Sequence, residues 1–420
     1  MNSQENRDAR LESSREDIWR RYLIVTHLGT YGKPDGTRGF SELWHKDLVE
    51  HARYTHRLVL AAPFRPEAWR SDIVAVRPED FPGCDLQFLD LPYAETKKAM
   101  LRSLPAIAAR LWKGIGQVEL VHIGVTGGFI PLGWIAGPIA KLRKKRLIVL
   151  IESAPWLPVP GSAPSLRARL RCAVFEFFAR SLCSAADVSF YTHRDYLDRY
   201  LRKDKGRGHV ICASWIDEDK VMDPEPAGRA WERKLQRPVP LRLGLFSRLV
   251  PSKGILVALE AMALLSERGI KVSLDIFGAG ELLEACQESS RRLGGSAEVR
   301  VRGTLPYDDS FFAEFRELHA VLIPNLSDEQ PRIAYDAFSQ SVPVIASDTT
   351  GLRECVAPGV NGVLLPPGDA RSLAEAIALF AESPERLRSL GLAGLETARR
   401  LTHRQMHLER RDIIVRALGN

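Results

Sequence analysis

Little in this sequence can hold a structure together covalently or through a metal. Six cysteines are scattered through 420 residues, at Cys84, Cys172, Cys183, Cys212, Cys286 and Cys355. No two have the spacing of a zinc or redox pair, so they read as reduced, mostly buried thiols. No grouping of histidines with carboxylates has metal-ligand spacing, which predicts chemistry without a bound metal or other cofactor. A full dinucleotide fingerprint, glycine-rich with an acid downstream, is missing, which argues against a nicotinamide enzyme. Basic and aromatic residues are not interleaved as on a base-stacking surface, so no nucleic-acid partner is expected. The N-terminus has no secretory signal pattern, and a reducing cytoplasmic setting is the expectation.

Long uncharged runs are also scarce. Leu120–Ala140 alone, with no Lys, Arg, Asp or Glu, is long enough to cross a bilayer. Five glycines, Pro131, Pro138 and His122 interrupt it. It reads instead as a strand over Leu120–Val125, a glycine loop over Thr126–Gly128 and a short helix around Trp134. His122 reads as structural rather than as a catalytic base.

What is present is the mix of an ordinary globular protein, 45% hydrophobic and 26% charged, at a length suited to two domains. The net charge of +7 is uneven: Leu101–Arg180 holds roughly 12 basic against 3 acidic residues, which suggests an anionic partner. The apolar segment Phe129–Ala140, with Trp134, precedes Lys141, Arg143, Lys144, Lys145 and Arg146, and Arg167, Arg169 and Arg171 follow later. An apolar wedge beside a basic cluster predicts contact with an anionic membrane surface. A core helix beside a solvated basic face explains the same residues.

Short apolar strands alternate with helical patterns twice along the chain. In the first half, strands are expected at Tyr22–Thr26, His56–Ala61, Leu86–Leu89, Leu120–Val125, Leu147–Ile151 and Val188–Tyr191. His27–Gly39 reads as a glycine-rich loop and Ser41–Tyr54 as a helix. A linker rich in proline and charge covers Asp217–Pro240. The second series has strands at Leu241–Phe246, Val272–Phe277, Val299–Arg302, Ala320–Pro324, Pro343–Ala346 and Gly362–Leu365. This pattern predicts an α/β fold of two Rossmann-like domains with parallel sheets, ligands binding at the carboxyl ends of the strands.

Ala320–Glu354 carries the most chemistry. A strand ends in the polar loop Asn325–Pro331, and a helix follows from about Arg332 to Gln340. Asp328 and Asp336 stand eight positions apart, about 12 Å along a helix at 1.5 Å per residue. One carboxylate can meet a sugar ring and the other a ribose, with a diphosphate between them at the helix start. An acidic cap on a surface helix accounts for the same two residues. After the first strand of this half comes Phe246-Ser247-Arg248-Leu249-Val250-Pro251-Ser252-Lys253-Gly254, which presents two cations on one loop.

These segments resemble the family-4 retaining glycosyltransferases. That family has two glutamates separated by seven residues in a pattern ending Glu-Ala-x-x-x-Gly-x-Pro-Val. Here Asp328, seven residues, then Asp336-Ala337-Phe338-Ser339-Gln340-Ser341-Val342-Pro343-Val344 occupy it, with aspartate at both acids and Ser341 at the glycine. Pro331-Arg332 is similar to a Pro-Arg found in some members. Ser247–Gly254 resembles the family's Gly-Arg-Leu-x-x-x-Lys-Gly element. Phe277-Gly278-Ala279-Gly280 resembles its Gly-x-Gly turn, and Val301-Arg302-Gly303 a strand end that receives the nucleotide base. Ala186–His193 is similar to a strand motif of the first domain.

The resemblance implies a GT-B architecture, two Rossmann-like α/β/α domains facing across a cleft. The implied division is an extension over 1–18, an acceptor domain over 19–220, a linker over 221–239 and a donor domain over 240–400. A C-terminal helix over 401–420 would return toward the first domain. The implied activity is metal-independent, retaining transfer of a hexose-type sugar from a nucleoside-diphosphate sugar to a glycan or lipid-linked acceptor. Arg248, Lys253 and Asp328 would carry the chemistry. Asp336, Gly278, Gly280, Arg302, Gly303, Gln330, Pro331, Arg332 and Ile333 would bind the donor. In the first domain, Gly36, Thr37, Arg38, Gly39 and Glu152 would face acceptor or phosphate. A nucleotide-sugar epimerase on the same fold and a weakly catalytic nucleotide- or glycan-binding homologue are the alternatives.

Overall fold

The computed structural model describes residues 19–66, 69–70, 72–158, 164–236, 240–327 and 330–419. The chain divides into two compact units. The first comprises Met1–Trp156, Ser165–Ile211 and His407–Asn420, and the second Leu157–Pro164 and Cys212–Met406.

The first unit runs β1 (Tyr22–Val25), β2 (Thr30–Gly32), β3 (Arg38–Ser41), α1 (Glu42–Ala52), β4 (Arg57–Pro66), β5 (Ile73–Ala75), β6 (Asp85–Leu91), α2 (Lys97–Gly116), β7 (Leu120–Gly124), α3 (Gly133–Leu142), β8 (Arg146–Ile151), α4 (Leu166–Ala185), β9 (Val188–Tyr191), α5 (Arg194–Tyr200) and β10 (Gly208–Val210). Its sheet has the order β10-β9-β8-β7-β1-β4-β2-β3-β5, with β6 also paired to β4. Pairing is parallel except at β2–β3 and β3–β5. The central strands are buried apolar runs, as a sheet covered on both faces requires; β1 (YLIV) is buried at every position. His122 on β7 is buried, and its Nδ1 lies 2.9 Å from the Tyr22 hydroxyl.

The second unit continues with α6 (Pro224–Gln236), β11 (Leu241–Phe246), α7 (Ile255–Glu267), β12 (Val272–Phe277), α8 (Leu283–Arg292), β13 (Ala297–Gly303), α9 (Asp309–Arg316), β14 (Ala320–Ile323), α10 (Ile333–Ser339), β15 (Val344–Ser347), α11 (Thr350–Arg353), β16 (Gly362–Leu365), α12 (Ala370–Glu382) and α13 (Glu385–Arg400). The last helix, α14 (His403–Leu418), follows. Its six strands are all parallel, in the order β13-β12-β11-β14-β15-β16. The chain therefore builds outward from β11 in one direction, then restarts beside β11 with β14 and builds in the other. That reversal leaves a crevice outside the carboxyl ends of β11 and β14.

Three local readings change. The stretch His27–Gly39, read as one glycine loop, contains the antiparallel pair β2–β3, with Tyr31 opposite Gly39. The carboxyl end of β4 runs past β1 and pairs β2 through Phe64–Pro66, so the segment gains strand partners its own sequence does not announce. The stretch 221–239, read as a linker, contains α6. Pro224 opens that helix, where a missing N–H costs nothing. Trp231 is fully buried, and its Nε1 donates to the Ser341 carbonyl at 2.9 Å. Finally, Trp134 does not project as a wedge. It stacks on Phe178 at 4.1 Å and meets Phe175 edge-on at 4.7 Å, which joins α3 to α4.

Helix α6 also buries Lys234, whose Nζ donates to the Leu318 carbonyl at 2.8 Å and lies 3.5 Å from the Trp231 ring. Burial pushes its ammonium down to about 7. The unfolded chain holds this proton to about pH 10.4, so between these values the unfolded state binds more protons and folding stability rises with pH. Below pH 7 that contribution is absent. The stability of wild type relative to Lys234→Met is expected to rise above pH 7 by up to about 1.4 kcal/mol per pH unit. Urea titrations at pH 7, 8 and 9 read it, and a difference that stays constant with pH contradicts a depressed Lys234.

Candidate functional site

The crevice at β11 and β14 is lined by loops tied to one another through backbone. After β11, the Ser247 N–H donates to the Phe277 carbonyl at 3.1 Å, and Leu249 N–H to the Ala279 carbonyl at 2.9 Å. These bonds fix the Arg248 loop against the turn that follows β12. A single 3-10 turn, Pro251–Lys253, then leads to Gly254. The Leu326 N–H, just after β14, donates back to the Ser252 carbonyl at 2.9 Å. Arg248 and Lys253 thus stand on a loop anchored to both neighbours, Arg248 exposed and Lys253 half-buried.

Two glycines make this anchoring possible. Gly254 has φ +68, and a Cβ there would stand 1.7 Å from the Pro324 carbonyl oxygen. At Gly278, φ is +143 and a Cβ would stand 1.9 Å from the Ser247 carbonyl oxygen. A side chain at either position forces adjacent loops apart. The Gly278 N–H also donates to the Gly303 carbonyl at 2.7 Å, which ties in the end of β13. Gly280 packs on the backbone of Leu249.

Beyond β13 lies Tyr307. Its hydroxyl donates to Asp336 Oδ1 at 2.9 Å, so the loop after β13 holds the buried carboxylate of α10. Burial, then the adjacent carboxylate, raises the Tyr307 phenol far above its ordinary value and keeps it a donor. Nothing in the local sequence announces this pair, whose members are 29 positions apart.

The remaining donor-side candidates fall into three kinds. Gln330 is buried, and its Oε1 accepts from Ala213 N–H at 2.6 Å, so its side chain serves the packing of the second unit. Arg332 is exposed, with its guanidinium 4.2 Å from the Trp215 ring, while Pro331 and Ile333 are half-buried where α10 begins. Arg302 is exposed at the end of β13, 3.7 Å from Glu314. Asp328 lies outside the described residues. Ser341, at the position of the expected glycine, takes the left-handed conformation with φ +58 and is buried.

The first-unit candidates are not gathered into one cluster. Gly36 and Thr37 form the turn of the β2–β3 hairpin. Arg38 pairs with Asp90 at 2.5 Å and covers the Phe64 ring at 4.0 Å. Gly39 is packed against Trp69 and the Val74 carbonyl. Glu152 is exposed at the end of β8, and its carbonyl accepts from Thr192 Oγ1 at 3.0 Å. In this sheet too the strand order reverses, between β1 and β7. There His27 sits against Gly127, where a Cβ would fall 2.1 Å from the imidazole. The Thr126–Gly128 glycines signal that loop in the sequence, but its partner His27 is recognisable only from the fold.

With this geometry in place, residues 232–396 match the family described as Glycosyl transferases group 1. Over that segment the chain is similar to the group 1 glycosyltransferases. It is 27% identical over 315 residues to the GDP-mannose-dependent alpha-(1-6)-phosphatidylinositol monomannoside mannosyltransferase of Mycolicibacterium smegmatis, covering 69% of this chain and 75% of that one. It is 29% identical to the D-inositol 3-phosphate glycosyltransferase of Segniliparus rotundus, covering 64% of this chain and 61% of the relative. Among solved structures it is similar in fold to Anabaena HepE in complex with UDP, with a TM-score of 0.66 at 15% identity over 94% of this chain and all of that one. The matched segment begins within α6 and ends within α13, so it contains the whole six-stranded sheet and the crevice loops.

Proposed function

We propose that this chain is a group 1 glycosyltransferase acting as a metal-independent, retaining hexosyltransferase. It moves a sugar from a nucleoside diphosphate to a glycan or lipid-linked acceptor, in surface polysaccharide or glycoconjugate synthesis on the cytoplasmic side of a membrane. The observation that carries this reading is the Arg248–Lys253 loop, locked by backbone bonds at the switch point of the second sheet. Breaking a sugar–phosphate bond leaves a diphosphate with growing negative charge. Cations held in place before the reaction stabilise that charge without reorganising. The leaving diphosphate can accept the acceptor's proton on the same face, so no separate nucleophile is needed. Asp328 addresses the donor sugar, and Asp336, steadied by Tyr307, the ribose. Gly278 and Gly280 let the neighbouring loops close on one another, and Gly303, with open space at its Cβ position, lets the nucleotide approach the backbone.

The reading is tested by incubating the chain with UDP-, GDP- and ADP-sugars and candidate acceptors, with products followed by mass spectrometry. A glycosylated acceptor with the donor's anomeric configuration, formed with chelator present, is the expected result. Donor consumed to an epimer without acceptor would identify an epimerase instead.

The acidic pair gives a second test. Asp336→Asn is expected to weaken nucleoside-diphosphate binding by roughly 1.5–3 kcal/mol, the value of a hydrogen bond to a charged acceptor. Tyr307→Phe removes a donor but keeps the charge, and a smaller loss of about 0.5–1.5 kcal/mol is expected. Equilibrium dialysis against labelled nucleotide measures both. Affinities equal to wild type in both variants would remove the ribose role.

A further inference from the structure

Helix α4 turns one face inward and leaves another uncovered. Inside, Phe178 and Phe175 hold Trp134, and Phe175 also stacks on Trp156 at 5.1 Å. Glu176 accepts from Trp156, Arg180, Arg199 and Tyr200. Ser165 caps the first turn by accepting from Ala168 N–H. The helix is therefore a fixed part of the first unit. On its outer side Leu166 is 83% exposed, Leu170 66%, Val174 41% and Phe177 65%. Their spacing of four, four and three places them in one stripe along the helix.

At 100° per residue, Arg169 flanks this stripe on one side and Arg167 and Arg171 flank it on the other. All three arginines are exposed. The helix has one acidic residue, Glu176, and it is buried. Cations in the first turns oppose the helix dipole, so they do not stabilise this helix. An exposed apolar ridge between arginines, with no exposed acid, matches a surface that is negative at the rim and apolar beneath.

We propose that the outer face of α4 docks the chain on an anionic lipid leaflet. The helix lies in the plane of the surface, with Leu166, Leu170, Val174 and Phe177 entering the headgroup boundary and the arginines meeting lipid phosphates. This places the contact on α4, not on the Trp134 segment, whose aromatic ring is taken up inside the unit. A second copy of this chain suits the face poorly, because a two-fold contact would set the same arginines against one another. A convex ridge also fits a deformable leaflet without requiring a preformed groove.

Vesicle flotation of the full chain tests the proposal. At low salt the protein is expected to float with vesicles of phosphatidylcholine mixed with phosphatidylglycerol, and not with phosphatidylcholine alone. In about 0.5 M salt the bound fraction should fall, since surface attraction is screened within a few ångströms. Arg167→Glu with Arg171→Glu, and separately Leu170→Ser with Phe177→Ser, should each lower partitioning about tenfold or more. Arg399→Glu with Arg400→Glu, the same charge change on α13, should float as wild type. Unchanged thermal unfolding of each variant shows that the fold is intact. Failure of wild type to float at low salt overturns the proposal, as does wild-type flotation of either α4 variant. Equal loss in the α13 variant, which would mean net charge alone, also overturns it. So does concentration-dependent self-association abolished by Phe177→Ser.

Discussion

Arg248→Ala and Lys253→Ala are each expected to lower donor turnover at saturating donor by about 10²–10³, the usual effect of removing one preorganised charge-stabilising group. Unfolding free energy should stay within about 0.5 kcal/mol of wild type, because neither side chain is part of the core. The two effects separate because the loop is positioned by its backbone. Ser247, Leu249 and Ser252 make the bonds to neighbouring loops through main-chain atoms, and truncating Arg248 or Lys253 leaves those atoms in place. Arg248→Lys should recover only part of the rate, since an ammonium lacks the planar fork that grips two phosphate oxygens. Turnover near wild type in either alanine variant would remove that residue from the leaving-group role.

Gly254→Ala is expected to destabilise the second unit by roughly 3 kcal/mol or more and to abolish donor binding. Two costs combine. Alanine is strained at φ +68, by about 1–2 kcal/mol. Its Cβ would also fall 1.7 Å from the Pro324 carbonyl oxygen, and backbone cannot yield as a flexible side chain does, which adds about 1–3 kcal/mol. The displaced segment is the one that joins the Lys253 loop to the loop after β14. Gly269→Ala separates the two costs. Gly269 has φ +69 with nothing within 4 Å of the added Cβ, so only the conformational part, about 1–2 kcal/mol, should appear. Chemical denaturation of both variants decides, and equal losses would contradict a steric role for Gly254.

The second unit was the more legible because its six strands all pair in parallel and none is a hairpin completed by a distant partner. Leu241–Phe246, Val272–Phe277 and Gly362–Leu365 are apolar runs bounded by turns, and β11, β12 and β16 occupy those residues. The β2–β3 hairpin was hidden because its partners are supplied by the overhang of β4, a tertiary event. Helix α6 was hidden because a proline start and many charges look like a linker until Trp231 finds its place under Ser341. The Arg248–Gly254 element was readable because its residues are contiguous. The resemblance implies a donor role for Gln330, whereas in the fold its Oε1 accepts from Ala213 N–H. The Tyr307–Asp336 bond joins separate loops and had no local signature. Trp134 shows the same limit at the surface: composition marks an apolar segment but does not say which ring turns inward.

The central claim is that the crevice at β11 and β14 holds a nucleoside diphosphate through Arg248 and Lys253. Calorimetric titration of UDP, GDP and ADP into wild type and into the Arg248→Ala, Lys253→Ala double variant tests it without knowledge of the acceptor. One of the three should bind wild type, and its affinity should fall about tenfold or more in the variant, as expected when charge-assisted hydrogen bonds of about 1.5–3 kcal/mol are lost. Absence of binding by all three, or binding to the folded variant with wild-type affinity, would contradict the account.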